Sequence, residues 1–237
     1  MASFDAIRSK TGFGALSHLV KDHVYTMGRR GFIYTAPWIA TRDTRPPSAA
    51  IILSADRQPF TLKLLGQDVC TQAAIVPPFV SRSLFACNVP LVCFHVMPSS
   101  PCYESFSGLS RERVTVLKRS FFSGLDLELA LLYRGRVPPT HAHEIYDAVV
   151  QIAIRRLPMR LHIDARTYRI REFLESGPEP TLAQLASELD VSYFWASHLM
   201  AEVFGMSLRD YKAWRKLKRV FDLLHSGRTI TEIAHAA

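Results

Sequence analysis

Thr181-Leu182-Ala183-Gln184-Leu185-Ala186-Ser187-Glu188-Leu189-Asp190-Val191-Ser192-Tyr193-Phe194-Trp195-Ala196-Ser197-His198-Leu199-Met200-Ala201-Glu202-Val203-Phe204 reads as two short helices around a tight turn. Thr181 with Gln184 three residues on is the reciprocal capping box that starts a helix. Leu182, Leu185, Ala186 and Leu189 then share one apolar face. Asp190-Val191 supplies the turn, Ser192 can cap a second helix from Tyr193, and Gly205 is a natural stop for it. A short helix, a turn and a second helix is the arrangement that lays the second helix in a DNA major groove. An ordinary helical hairpin is the competing reading of one such pair.

A second copy favours the first reading. Thr229-Ile230-Thr231-Glu232-Ile233-Ala234 repeats Thr181-Leu182-Ala183-Gln184-Leu185-Ala186 after 48 residues, with the same cap, apolar and small positions. Between the copies, Arg209, Lys212, Arg215, Lys216, Lys218 and Arg219 fall within eleven residues, opposed only by Asp210. Such a cluster can neutralise phosphates, or can be a solvated helix face. The net charge of +8 adds little, because residues 159–237 hold 11 Lys and Arg against 10 Asp and Glu, leaving +7 upstream.

In order and spacing these stretches, with Val191-Ser192 and Phe204-Gly205-Met206-Ser207-Leu208-Arg209-Asp210-Tyr211, resemble the DNA-binding domain of the AraC/XylS family of bacterial transcription regulators. The resemblance runs from Asp164 to the end. It implies two helix-turn-helix units, the first at 181–204, joined by a long helix over about 208–225 and reading adjacent segments of double-stranded DNA. It also implies an N-terminal cupin-like barrel that senses a small-molecule effector or makes a homodimer. Two departures stand out. The sequence stops at His235-Ala236-Ala237 where the family continues into a second recognition helix, so the second unit, from 229, is expected to be incomplete. Ala196 and Met200 stand where larger apolar residues are usual, with Trp195 or Phe194 as candidates to compensate. The incomplete unit motivates an alternative: a truncated interaction protein or dominant-negative regulator that dimerises without productive DNA binding.

On the second helix, Phe194, Ser197 and His198 sit at i, i+3 and i+4 and match the family positions that face base edges. Ser197 and His198 offer hydrogen bonds, and Phe194 can meet a thymine methyl, although core packing is its competing reading. Ser192 and Tyr193 at the helix start, and Arg215 and Lys216 from the cluster, are expected at phosphates. Ala196, Leu199, Met200 and Val203 should be buried.

Upstream, from 31 to about 97, short β-type runs are cut by Pro, Gly and Asn. Ala49–Ser54 is apolar and β-branched, Phe60, Leu62 and Leu64 alternate with polar residues, and Ala73–Val76 and 91–97 run into prolines. Val114, Leu117 and Phe121, then Leu125, Leu129 and Leu132, predict one helix within about 111–132. Thr140 is the expected cap of another, with Ile145, Val149 and Ile152 on one side. This hairpin can pack on the β domain or drive dimerisation. Asp164 can cap a further helix bearing Ile170, Phe173 and Leu174 and stopped by Gly177-Pro178. The predicted fold is therefore α+β: a cupin-like sensor domain over 1–108, a helical linker and dimerisation hairpin over 109–158, and an all-α DNA-binding domain over 164–237.

Other functions find less support. No apolar run approaches the ~20 residues of a membrane span, and the N-terminus lacks a secretory pattern, so a cytoplasmic protein is expected. Cys70, Cys87, Cys93 and Cys102 lack zinc-site spacing and read as reduced, small apolar side chains. His141-x-His143-Glu144 lies at a helix start with i, i+2 spacing, wrong for a metal face on a helix. The strand region offers only His95, with Ser81-Arg82-Ser83 where a metal-binding barrel would place a histidine. There is no Gly-rich phosphate loop and no nucleophile elbow. No enzyme activity, metal or cofactor is expected.

Overall fold

The computed structural model describes residues 23–64, 66–107, 109–110, 112, 114–157, 165–176, 180–224, 232 and 235. The repeat at 229–234 apart from Glu232, the Asp164 cap, the Gly177-Pro178 stop and the side chains of Lys218, Arg219 and Cys87 lie outside the described set. The chain forms two compact units, Met1–Pro158 and Met159–Ala237, and the helices before Pro158 belong to the first.

The first unit is a mixed sheet and helix structure built on one long strand. Among the described residues eight strands run β1 (His23–Thr26), β2 (Gly31–Thr44), β3 (Ala49–Ser54), β4 (Phe60–Leu64), β5 (Gln67–Thr71), β6 (Ala73–Val76), β7 (Arg82–Val96) and β8 (Thr115–Val116). All pairings are antiparallel, in the order β1-β2-β7-β3-β6-β8, with the β4–β5 hairpin added along β7. β7 pairs with β2 on one side and with β3 and then β4 on the other. No pairing among the described residues joins β1 to β8, so the sheet is open where the sequence predicted a barrel.

Register sorts the side chains. Tyr34, Cys93, Ile52 and Ala74 lie abreast, and this face joins Phe60, Leu62, Leu64, Leu84, Ala86 and Leu91 in one apolar cluster. The ladder shifts between Ala36/Trp38 and Leu91/Cys87, where Pro37 stands in β2 and Pro90 in β7. Neither proline has an N–H to give the ladder, which confines them to such an irregularity. The shift changes which alternate residues of β7 face the cluster, from Leu84 and Ala86 to Leu91 and Cys93.

The other face carries Phe94, Ile51 and Ile75 and is covered by helices. After a short α1 (Glu104–Ser107) come β8, a 3-10 helix at Arg119–Leu125, α2 (Asp126–Tyr133) and α3 (Pro139–Ile154). The helix expected from Val114 is thus corrected: β-branched Thr115 and Val116 pair with Ile75 and Ala74 at a sheet edge, and the α-helix begins only at Asp126. The cap moves too, for α3 starts with Pro139 at its first position and Thr140 lies inside it. Leu129, Leu132, Ile145 and Val149 are buried within the chain, while Phe121, Leu125 and Ile152 of the same stripes are half-buried. The Tyr146 phenol donates to the carbonyls of Arg30 (3.1 Å) and His95 (3.2 Å), entering the space that glycine leaves at position 31.

The second unit is helical: α4 (Ala165–Ser176), α5 (Leu182–Leu189), α6 (Tyr193–Phe204) and α7 (Leu208–Leu224). Ile170, Leu174, Leu185, Leu189, Ala196, Leu199 and Met200 form its interior. Phe204, Tyr211 and Trp214 add a run of ring contacts, with centroids 6.3 and 5.5 Å apart. Phe194 and Trp195 are exposed, which corrects the expectation that either would pack beside the small Ala196. Val203 is half-buried. No helix among the described residues is long and apolar enough to cross a membrane.

Candidate nucleic-acid interface

The turn between α5 and α6 forms as its residues dictate. The Gln184 amide donates to Thr181 Oγ1 (3.2 Å), and the Thr181 amide donates back to Gln184 Oε1 (3.0 Å). α5 ends where Asp190 enters the left-handed region (φ 54°, ψ 50°). Ser192 Oγ accepts from the Trp195 amide (3.2 Å), starting α6, and Gly205 ends it, also left-handed. Ser207 repeats the device for α7, accepting from the Asp210 amide at 3.1 Å.

Two caps and a fixed turn decide which face of α6 is solvent-exposed. Ala196, Leu199 and Met200 point inward; Phe194 is 85% exposed, Tyr193 54% and Trp195 44%. Core packing is therefore not the role of Phe194. Ser197 is half-buried beside it on the same face. His198 is exposed, stacks on the Trp195 ring at 5.2 Å and has Glu202 Oε2 3.8 Å from its Nε2. Phe194 meets Tyr193 edge-on at 6.2 Å. A large apolar surface left in water on a capped, well-packed helix marks a contact surface.

Next to the start of α6 is an open cleft of about 530 Å³, lined by Thr181, Leu182, Tyr193, Arg209, Lys212 and Lys216 among others. It joins the N-terminal end of α5, where backbone N–H groups favour an anion, to three cations of α7. Positions 209, 212 and 216 share one helical face, a spacing visible in the sequence, although of these three only Lys216 was expected at phosphate. Arg215 is on another face: its Nη1 donates to the Leu174 carbonyl at 3.2 Å, closing the last turn of α4. Of the seven residues expected at DNA, Ser192, Tyr193, Phe194, Ser197 and His198 gather on α6 or its cap, Lys216 lies in the cleft beside them, and Arg215 is engaged in packing.

The candidates of the sheet unit resolve differently. His95 Nδ1 shares a hydrogen bond with Ser48 Oγ (2.9 Å), and its ring stacks on Phe32 at 4.3 Å. Burial, and secondarily the charge of Arg82, pushes its pKa down to about 3. The Cys93 thiol is pushed up to about 12 by burial, which leaves it unreactive. His141 bonds Glu144 (2.8 Å) and His143 the Pro139 carbonyl (2.7 Å), both local contacts of the first turn of α3. Among the described residues no three His, Cys, Asp or Glu side chains gather as a metal site would need.

No protein-family model and no curated protein matches the chain. Among solved structures it is similar to one described as the crystal structure of the AraC-like transcriptional activator CuxR, with a TM-score of 0.45 and 12% identity over 93% of this chain and 92% of that one.

Proposed function

We propose that this protein is a sequence-specific DNA-binding transcription regulator of the AraC/XylS type, acting in the cytoplasm. α6 enters the major groove of double-stranded DNA, with Phe194, Ser197 and His198 toward base edges and Ser192 and Tyr193 at the backbone. The observation that carries this is the pairing of the exposed Phe194 face with the cationic cleft at its edge. Base readout and phosphate neutralisation need those two surfaces side by side. Arg209, Lys212 and Lys216 take the phosphates, and Arg215 supports α7 from behind. The sheet unit is read as a cupin-like domain that binds a small-molecule effector or a second copy of the chain, its role in the family that the sequence resembles.

The test is selection of a binding site from random duplexes, then titration of wild type, S197A/H198A and K212A/K216A at two salt concentrations. The first variant should lose about 1–3 kcal/mol of preference for the selected site over a scrambled one. The second should weaken both duplexes alike and lower the salt slope by about one per phosphate contact. Full preference retained by S197A/H198A would sink the assignment of α6. A second reading follows from the consecutive exposed rings Tyr193, Phe194 and Trp195: an interaction protein docking a protein partner through α6. Failure of any duplex to bind would favour it.

A further inference from the structure

His198 stands on the exposed face of α6, and its neighbours along the helix differ in kind. Its ring stacks on Trp195, one turn before it, at 5.2 Å and with 28° between the planes. Its Nε2 lies 3.8 Å from Oε2 of Glu202, one turn after it, too far for a hydrogen bond and near enough for charge to act. All three side chains are exposed, so core packing does not hold them together. Nδ1 has no hydrogen-bond partner among the described residues. The two ring nitrogens are therefore unequal: one is turned to a carboxylate of its own helix, and the other is open.

We propose that Glu202 and Trp195 set His198 to read an exocyclic amino group, so that the base it meets is adenine or cytosine. The proposal rests on the reading of α6 as the helix that enters the major groove, and adds the class of base that one of its residues selects. A neutral imidazole carries one proton, and its two nitrogens then play opposite roles. A carboxylate beside Nε2 favours the proton there, because an N–H dipole points at the negative charge where a bare lone pair would oppose it. Nδ1 is left as an acceptor. In the major groove the donors are adenine N6 and cytosine N4, and the other polar groups of the bases accept. An acceptor at Nδ1 pairs with those two amino groups and sets lone pair against lone pair elsewhere. An exposed charge contact of this kind adds little stability. Choosing between two tautomers of similar energy takes little. Trp195 acts differently: stacking withholds rotamers that a surface histidine would otherwise sample, so less freedom is lost on docking. Glu202 and Trp195 are thus positioning residues, and His198 alone of the three touches the base.

The experiment couples His198 to single atoms of the base pairs, at about pH 8, above the ordinary imidazole range. The full chain binds the duplex selected from random sequence, which carries at each position in turn an analogue lacking one group. Purine for adenine, or a pyrimidinone for cytosine, deletes the amino group. Aminopurine for guanine, a methylpyrimidinone for thymine, or a deazapurine deletes an acceptor. Each deletion is measured in wild type and in His198→Ala, and the ratio of the two losses cancels the cost of weaker base pairing. At one position, deleting an amino group should weaken wild type about 3- to 10-fold more than His198→Ala, as one hydrogen bond would. Glu202→Lys puts an ammonium beside Nε2 and should pass the coupling to an acceptor atom. Trp195→Ala should reduce the coupling and Trp195→Phe keep it. In the free protein, imidazole nitrogen chemical shifts should place the proton on Nε2 in wild type and on Nδ1 in Glu202→Lys. Four results each overturn the proposal while leaving α6 in the groove: coupling of the wild-type ring to an acceptor, amino coupling that survives Glu202→Lys, full coupling in Trp195→Ala, or a free ring protonated on Nδ1. Absence of coupling at every position overturns it too, and the S197A/H198A titration then decides whether α6 reads DNA at all.

Discussion

In the sheet unit the Arg82 guanidinium is drawn inside, at 6% exposure, while in the helical unit the Phe194 ring stands in solvent at 85%. Both invert the usual partition, in which charge faces water and large rings do not. A buried cation is costly until an anion of matching geometry meets it. An exposed ring keeps its apolar area in water until another surface covers it, which suits the macromolecular partner proposed for α6. The backbones match those demands. β7 is paired on both sides, whereas α6 is held by its two ends and one packed face, leaving the other open.

The comparison breaks first on α6 itself. Leu199→Ala should cost about 2–5 kcal/mol, as emptied core positions do, and should collapse hydrogen-exchange protection across α6. Protection unchanged by that substitution would mean that the two faces of the helix have been exchanged. The sheet unit should be acid-sensitive through His95. Its folded pKa, about 3, lies below the ordinary value of 6.5, so the unfolded chain binds the extra proton. The stability held above pH 6.5 is then lost progressively as pH falls toward 3. Exchange of the β7 amides should quicken between pH 7 and 5 after correction for intrinsic rates, and His95→Gln should flatten the trend. Phe194→Ala is the counterpart on the open face of α6. Stability should hold within about 0.5 kcal/mol, as at ordinary surface sites, while about 1–3 kcal/mol of base preference goes. A large loss of stability instead would return Phe194 to the core. The smallest effect belongs to the turn. Asp190→Gly should stabilise by roughly 0.5–1 kcal/mol, because it relieves a left-handed residue and removes a carboxylate from the C-terminal end of α5. Urea titration of Asp190→Gly beside Asp190→Asn separates strain from charge.

The helical unit was legible because its signals are local. Thr181 with Gln184, Ser192 and Gly205 each act within one turn of helix, and each forms the contact that its residue type predicts. Strands β3, β4 and β6 were equally readable, being short and uninterrupted. β7 was not. The reading began it at Leu91, whereas it starts at Arg82, because the irregularity opposite Pro37 exchanges inward and outward positions midway and erases the alternation. The burial of Arg82 was invisible for the same reason, since nothing in Ser81-Arg82-Ser83 says which way the middle residue faces. Val114 and Leu117 carried helix spacing over too few residues to outweigh Thr115 and Val116, whose strand partners lie forty residues upstream at Ala74 and Ile75. At the interface, the face of α6 was legible and the division of α7 was not: separating Lys216 from Arg215 required knowing where α4 ends.

The missing side chain at Gly31 has a consequence for how this sequence can drift. A methyl group there would run into the carbonyl oxygen of His95 and the phenol oxygen of Tyr146, and the carbonyl belongs to a strand paired on both sides and cannot retreat. Position 31 is thus a lock shaped by an absence, with the Tyr146 hydroxyl as its key. In a library randomised at both positions, survivors should keep glycine at 31 whatever stands at 146. Tyrosine at 146 should give way more readily, to phenylalanine first. Two residues joined by one contact would then differ in how many neighbours in sequence space remain open to them.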